Sequence, residues 1–225
     1  MKPTDLNKDI YRNRFEGVDI FRVEFYKVFE KEFFKKYVSP ESRVLEIGAG
    51  HCELINAIQA KQKVALDINP DVSRHAAEDV TAIFGTIDEI SDMEKQFDVI
   101  IINNVLEHLT HSQIVDILER SKKLLKNGKI ILLLPNIRYC YKNFWMFFDH
   151  ITPLDDRAIV ELLISLGYEI TEARSKFLPY TSISPVSHGI SRLPLGMTIV
   201  KVYLHVPLLW KIFGKQMFIV ARVNE

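Results

Sequence analysis

The chain has 225 residues with 29 Lys and Arg against 29 Asp and Glu, so no global field draws it to nucleic acid or to an anionic membrane. Its length suits one domain with a full core. The two cysteines, Cys52 and Cys140, form neither a disulfide framework nor a C-x-x-C pattern, which points to a reducing cytoplasm. The opening stretch MKPTDLNKDIYRNRFEG lacks an apolar run of the signal-peptide kind, and no internal repeat is evident.

Residues 1–15 read as polar and irregular. From Val18 to Tyr37, Ile20, Phe21, Phe25, Val28, Phe29, Phe33 and Phe34 recur at helical spacing. This predicts an amphipathic helix over residues 16–38 that lays its aromatics on the core. The interleaved lysines and glutamates form its solvated face. Ser39-Pro40 ends it. Next comes RVLEIGAGHCE, Arg43 to Glu53: an apolar strand, a turn of Gly48, Ala49 and Gly50, and a helix over Glu53 to Ala60. A strand running through glycines into a helix opens a βα unit that holds a nucleotide-like ligand. The glycines let backbone approach it without a Cβ in the way. Lys63 to Leu66 is a second strand, closed by Asp67. A carboxylate about 20 residues after the glycines can accept hydrogen bonds from ribose hydroxyls.

A dinucleotide fingerprint is opposed twice. No third glycine follows Gly50, and Glu53 brings negative charge to the helix N-terminus where a pyrophosphate would sit. Glu46, inside a buried strand, needs a partner, either a ligand or a backbone N–H of the turn.

Further along, Asn69 and Pro70 read as the cap and first residue of a helix. Val80 to Phe84 is the third strand, and Val99 to Ile102 the fourth, ended by Asn103 and Asn104. Ser112 reads as the cap of a helix whose apolar face is Ile114, Ile117, Leu118, Leu124 and Leu125, stopped by Asn127-Gly128. Lys129 to Leu134 is the fifth strand. The aromatic run Tyr139 to Phe148 reads either as a lid over an acceptor pocket or as ordinary packing. Thr152-Pro153 is placed to start a helix over Leu154 to Leu166, capped by Gly167, before a sixth strand, Tyr168 to Ala173. Residues 177–195 read as a loop with His188 exposed. Residues 196–213 are apolar but are broken by Lys201, His205, Pro207 and Lys211, too broken for a membrane span. They read as a substrate cap or dimer contact, with an interfacial helix as the third choice. Lys215 to Val223 is the last strand.

VLEIGAGHCELI, ALDINP, FDVIIINNVLEHL and LLKNGKIILLLPN, in this order and spacing, resemble the successive motifs of class I S-adenosylmethionine-dependent methyltransferases. The branch that looks most similar contains the ubiquinone-biosynthesis O-methyltransferases and other small-molecule methyltransferases. The resemblance covers Ser42 to Glu172 and the last strand. Cys52 departs from it, standing where the family's third glycine usually is.

The resemblance implies an α/β, Rossmann-like sheet of seven strands, the last antiparallel, with helices on both faces. The chain reads as one domain over 1–225 with a cap or dimer insertion at about 177–213, the least family-like stretch together with 136–153, and the resemblance implies that Tyr11 to Phe25 folds over the cofactor. The cofactor is S-adenosyl-L-methionine. Glu46, Gly48, Ala49 and Gly50 would meet its methionine part, Asp67 its ribose, and Ile68, Ile87 and Asn103 its adenine side. Thr86 stands where the family often has an aspartate for the adenine amino group; Asp88 reads first as an exposed loop carboxylate and second as a substitute for that contact.

Glu107 and His108 follow the fourth strand, at the edge of the sheet where ligands lie. His108, or secondly His150, titrates in the range needed to take a proton from a hydroxyl; otherwise the Glu-His pair only fixes a loop. Asn104, Glu107 and His108 also echo a metal-binding Glu-x-x-Glu-His arrangement of some relatives, but an amide replaces the first carboxylate, so no resident metal is expected. The expected reaction is methylation of a small acceptor, first at a hydroxyl oxygen of a sugar or polar metabolite and secondly at nitrogen. The rivals are a nicotinamide dehydrogenase and a non-catalytic partner subunit. Nucleic acid and membrane spans are not expected partners; a homodimer is among the expectations.

Overall fold

The computed structural model describes residues 19–180 and 196–223. Seven strands form one sheet: β1 (Arg43–Ile47), β2 (Gln62–Asp67), β3 (Val80–Phe84), β4 (Phe97–Asn103), β5 (Leu125–Pro135), β6 (Tyr168–Arg174) and β7 (Gln216–Val223). Their order across the sheet is β3-β2-β1-β4-β5-β7-β6. Strands β1 to β5 pair in parallel, and β7 runs antiparallel to both β5 and β6. This is the sheet implied by the motif resemblance, with the last strand inserted inside β6 so that β6 is the edge.

The central strands are apolar on both faces because both faces are covered. Val44, Leu45, Ile100, Ile101, Ile130, Ile131 and Leu132 are all essentially inaccessible. On one face pack α4 (His111–Leu124) and α6 (Asp156–Ser165), through Ile114, Leu118, Ile159 and Leu163. On the other lie α1 (Asp19–Glu32), α2 (Glu53–Ala57) and the one-turn α3 (Val72–His75). α5 (Ile137–Phe144), α7 (Gly196–His205) and α8 (Pro207–Phe213) complete the described helices.

The predicted N-terminal helix is present but shorter, giving way at Phe33 to a 3-10 turn over Phe34–Lys36. The second half of its stripe is core packing: Phe29, Phe33 and Phe34 are buried among Phe177 and Phe218, while Ile20 at its start is 84% exposed.

Several helix starts fall elsewhere than predicted. Asn69 does not cap; its side chain accepts from Asp71 N at 3.1 Å in a turn before α3. Thr110, not Ser112, caps α4, because Gln113 three residues on completes a reciprocal capping box. Asp155 caps α6 by accepting from Arg157 N and Ala158 N, while the Thr152 hydroxyl donates to the Leu109 carbonyl. Asn127-Gly128 stops no helix. α4 ends at Leu124, whose carbonyl accepts from Gln96 N, and Asn127-Gly128 lies in an irregularity of β5, where a Cβ on Gly128 would stand 2.3 Å from the Asp98 carbonyl oxygen.

Of the expected insertion, residues 181–195, including His188, lie outside the described residues. Phe177 and Leu178 are buried, and Phe177 N donates to Gln216 O at 2.7 Å. α7 and α8 meet at Val206 with a bend of 104°. Among the described residues no single helix is long and apolar enough to cross a membrane; the bent pair meets the length and composition only when joined.

Candidate active site

β1 has β2 on one side and β4 on the other, and the chain crosses over between β3 and β4, so a crevice opens at the carboxyl ends of β1 and β4. The glycine turn lies there. Gly48 N and Ala49 N both donate to Leu66 O, at 2.8 and 3.2 Å, tying the turn to β2. Gly48 has φ +74°, and a Cβ on it would stand 2.2 Å from Val105 Cγ2. At Gly48 there is therefore space only for backbone. Cys52, in place of a third glycine, keeps the glycine conformation at φ 60° and ψ 16°. A left-handed non-glycine residue costs about 1–2 kcal/mol, and complete burial of its side chain, with Sγ 3.7 Å from Val72 O, offsets that.

Carboxylates gather around the turn. Glu46 is buried and its Oε2 accepts from Ile55 N at 3.0 Å, so the backbone N–H expected as its partner comes from α2. Asp67, at the tip of β2, accepts from Gly50 N at 2.7 Å and from Asn69 N at 2.6 Å. Burial, then the nearby Glu53, raises the Glu46 pKa well above the ordinary carboxylate value. Burial also raises that of Asp67, against the two N–H donors.

A raised carboxyl pKa means that the group's contribution to stability is present below the unfolded value and is lost as pH rises through the folded value. Glu46→Gln, whose amide oxygen can still accept from Ile55, is therefore expected to stabilise the ligand-free protein above that folded value, by on the order of 1–2 kcal/mol. The gain shrinks on acidification. Urea denaturation of both proteins across pH measures it, and equal stability at alkaline pH would contradict it.

α1 supplies two residues that pattern reading did not assign. Arg22 grips Glu53 with both forks, at 2.8 and 3.2 Å, and the Tyr26 hydroxyl accepts from Asn103 Nδ2 at 2.9 Å. Burial pushes the Tyr26 pKa up to about 12. Their i, i+4 spacing puts both on one side of the helix, a signal available in the sequence. Ile68 and Phe84 are each 58% exposed at the tips of β2 and β3, and Asp67 is in register with Phe84. Ile87, by contrast, is buried in the core. Asp88 is exposed and paired with Arg120 at 2.6 Å, and Thr86 caps the turn over Ile87–Ile90.

Beyond β4, Leu106–His108 form a 3-10 turn. Segment 149–152 is strapped to it: Ile151 N and Thr152 N donate to Glu107 O at 3.0 and 3.2 Å. His108 Nδ1 lies 3.0 Å from the Asp149 carbonyl oxygen and 3.3 Å from its Oδ2. Both are acceptors, so a proton belongs on Nδ1. His150 is buried, stacked on Phe147 at 4.8 Å and edge-on to His108 at 4.7 Å. The two predicted histidines thus meet. Glu107, His108 and His150 each offer one ligand atom within 4.8 Å of the others, a set that could hold a metal ion; pattern reading had grouped Asn104 rather than His150 with the pair.

The match to a methyltransferase-domain family model covers residues 45–130. No curated protein matches the chain. Among solved structures, the chain is similar to a SAM-dependent methyltransferase from Archaeoglobus fulgidus, with 20% identity, TM-score 0.61, and 89% of this chain and 94% of that one covered. It is also similar to a SAM-dependent methyltransferase from Thermotoga maritima (16%, TM-score 0.62, 95% and 100%). A third similarity is to a structure of the complex between the Haloferax volcanii Trm112 methyltransferase activator and a methyltransferase (14%, TM-score 0.69, 96% and 98%). A methyltransferase-domain match over residues 45–130, within a seven-stranded sheet of this order shared with these solved structures, gives the chain the Rossmann-like methyltransferase fold.

Proposed function

We propose that the acceptor is a small molecule, methylated at a hydroxyl oxygen of a sugar or other polar metabolite, with His108 as the base. The observation that carries this reading is the pairing of His108 Nδ1 with the Asp149 carbonyl and carboxylate, which orients the ring as an Asp-paired histidine base is oriented. When bound, the donor supplies a methyl group on a sulfonium, already electrophilic. The protein's share is to hold, to exclude water and to move one proton.

In this reading Gly48, Ala49 and Gly50 bring backbone to the methionine part, and the Glu46 carboxylate faces its positive charge. Arg22, held by Glu53, is within the same cluster. Asp67 takes the ribose hydroxyls. Ile68 and Asn103 border adenine as first assigned. Phe84 joins them on its exposure beside Asp67, and buried Ile87 backs that wall from the core. The hydroxyl proton passes to His108 Nε2 as oxygen takes the methyl, and the Asp149 carboxylate offsets the imidazolium charge that results. His150 holds the His108 ring edge-on and is the second candidate base.

Transfer of labelled methyl from S-adenosylmethionine to a panel of hydroxyl and amine acceptors tests the acceptor class; product formed on amines alone would overturn it. Isothermal titration tests the ribose assignment. Asp67→Asn is expected to weaken donor binding about 10- to 30-fold, the loss of one charge-assisted hydrogen bond. Unchanged affinity would remove Asp67 from that role.

A further inference from the structure

The C-terminal quarter departs from the neutral balance of the whole chain. From residue 173 to residue 224 there are seven Lys and Arg and no Asp or Glu. The structure gathers part of this charge at the carboxyl edge of the sheet. Lys176 Nζ donates to Lys211 O of α8 at 2.8 Å and lies 4.5 Å over the Tyr139 ring of α5. Lys215 Nζ reaches Asn143 Oδ1 of α5 at 3.5 Å. α5 and α8 therefore flank one basic centre. Lys201 and His205 of α7 do not add to it, since both face Glu32 of α1.

Around that centre the protein exposes large apolar side chains. No residue of α8 is buried, and Leu208, Ile212 and Phe213 are 63, 60 and 56% exposed. Just past α5, Trp145 and Phe148 are 61 and 83% exposed. Apolar patches of this kind mark an interaction surface. A twofold contact with a second copy would set the lysines against themselves. The chain's own residues 181–195 carry Arg192 and His188 and no acid, so they cannot balance the charge. Apolar and aromatic side chains interleaved with lysine on short amphipathic helices are the composition that seats in a lipid headgroup region.

We propose that the face made by α8 and the end of α5 docks on the surface of an anionic lipid bilayer, lying on it without crossing it. The contact puts the membrane at the edge of the sheet that carries Asn103 and His108. It holds whether or not the base assignment stands.

Flotation of the full chain with phosphatidylglycerol–phosphatidylcholine vesicles tests it. The chain is expected to float with the mixed vesicles, and to stay behind with phosphatidylcholine alone and at high salt. Leu208→Asp with Ile212→Asp is expected to abolish flotation with donor affinity retained. Lys211→Gln, an exposed single change, is expected to lower partitioning about 5-fold. Failure of the folded chain to float overturns the proposal, as does equal flotation with neutral vesicles. So does a dimer that the Leu208 and Ile212 changes dissociate without altering vesicle binding. Binding to polyglutamate but not to vesicles assigns the face to an acidic protein instead and overturns it too.

Discussion

His108→Gln is expected to slow methyl transfer about 100- to 10,000-fold, the usual contribution of a general base, while leaving S-adenosylmethionine affinity within about 3-fold. The split follows from placement. His108 sits in the 3-10 turn after β4 and is bonded to Asp149, whereas the carboxylates assigned to the donor cluster around the glycine turn of β1 and the tip of β2. Asp149→Asn is the companion. It keeps the carbonyl contact at 3.0 Å and replaces the carboxylate at 3.3 Å, so it should slow turnover less than loss of the ring does. Single-turnover transfer of labelled methyl, with donor titration beside it, separates the two quantities. Full turnover in His108→Gln would remove the base and favour an acceptor nitrogen, which can attack without losing a proton first.

Gly48→Ala should eliminate detectable donor binding and destabilise the fold by roughly 2–4 kcal/mol. Two causes add. The residue stands at φ +74°, where an alanine is strained, and its Cβ would meet Val105 Cγ2 at 2.2 Å. Val105 leads directly into Leu106–His108, so relieving the overlap displaces the turn that carries His108. Gly48→Ala combined with Val105→Ala removes the overlap but not the strain, and should recover part of the stability. Denaturant unfolding and calorimetric titration measure both. A single mutant within about 0.5 kcal/mol of the parent, binding donor normally, would show that the turn tolerates a side chain.

The βα frame was readable in one dimension because its signals are local. An apolar run, two glycines and a carboxylate in sequence define β1, the turn and the tip of β2 without reference to any distant residue. The same holds for the strands around Ile100 and Ile131, whose continuous apolar runs mark them as doubly covered. Helix starts were read less well at Asn69, Ser112 and Thr152. Several residues near each could cap, and the choice among them rests on side-chain geometry such as the Thr110–Gln113 reciprocity. Asn127-Gly128 misled for a different reason: glycine served a close approach to the Asp98 carbonyl, not a helix end.

Sequence order alone therefore named the fold and the donor, since motif and spacing are properties of contiguous chain. Folding was needed to bring Arg22 onto Glu53, Tyr26 onto Asn103, Asp149 onto His108 and Lys176 between α5 and α8. Those partners lie between 31 and 77 residues apart in the first three cases. No local periodicity records such pairings, because burial and hydrogen-bond satisfaction are settled only when distant elements pack.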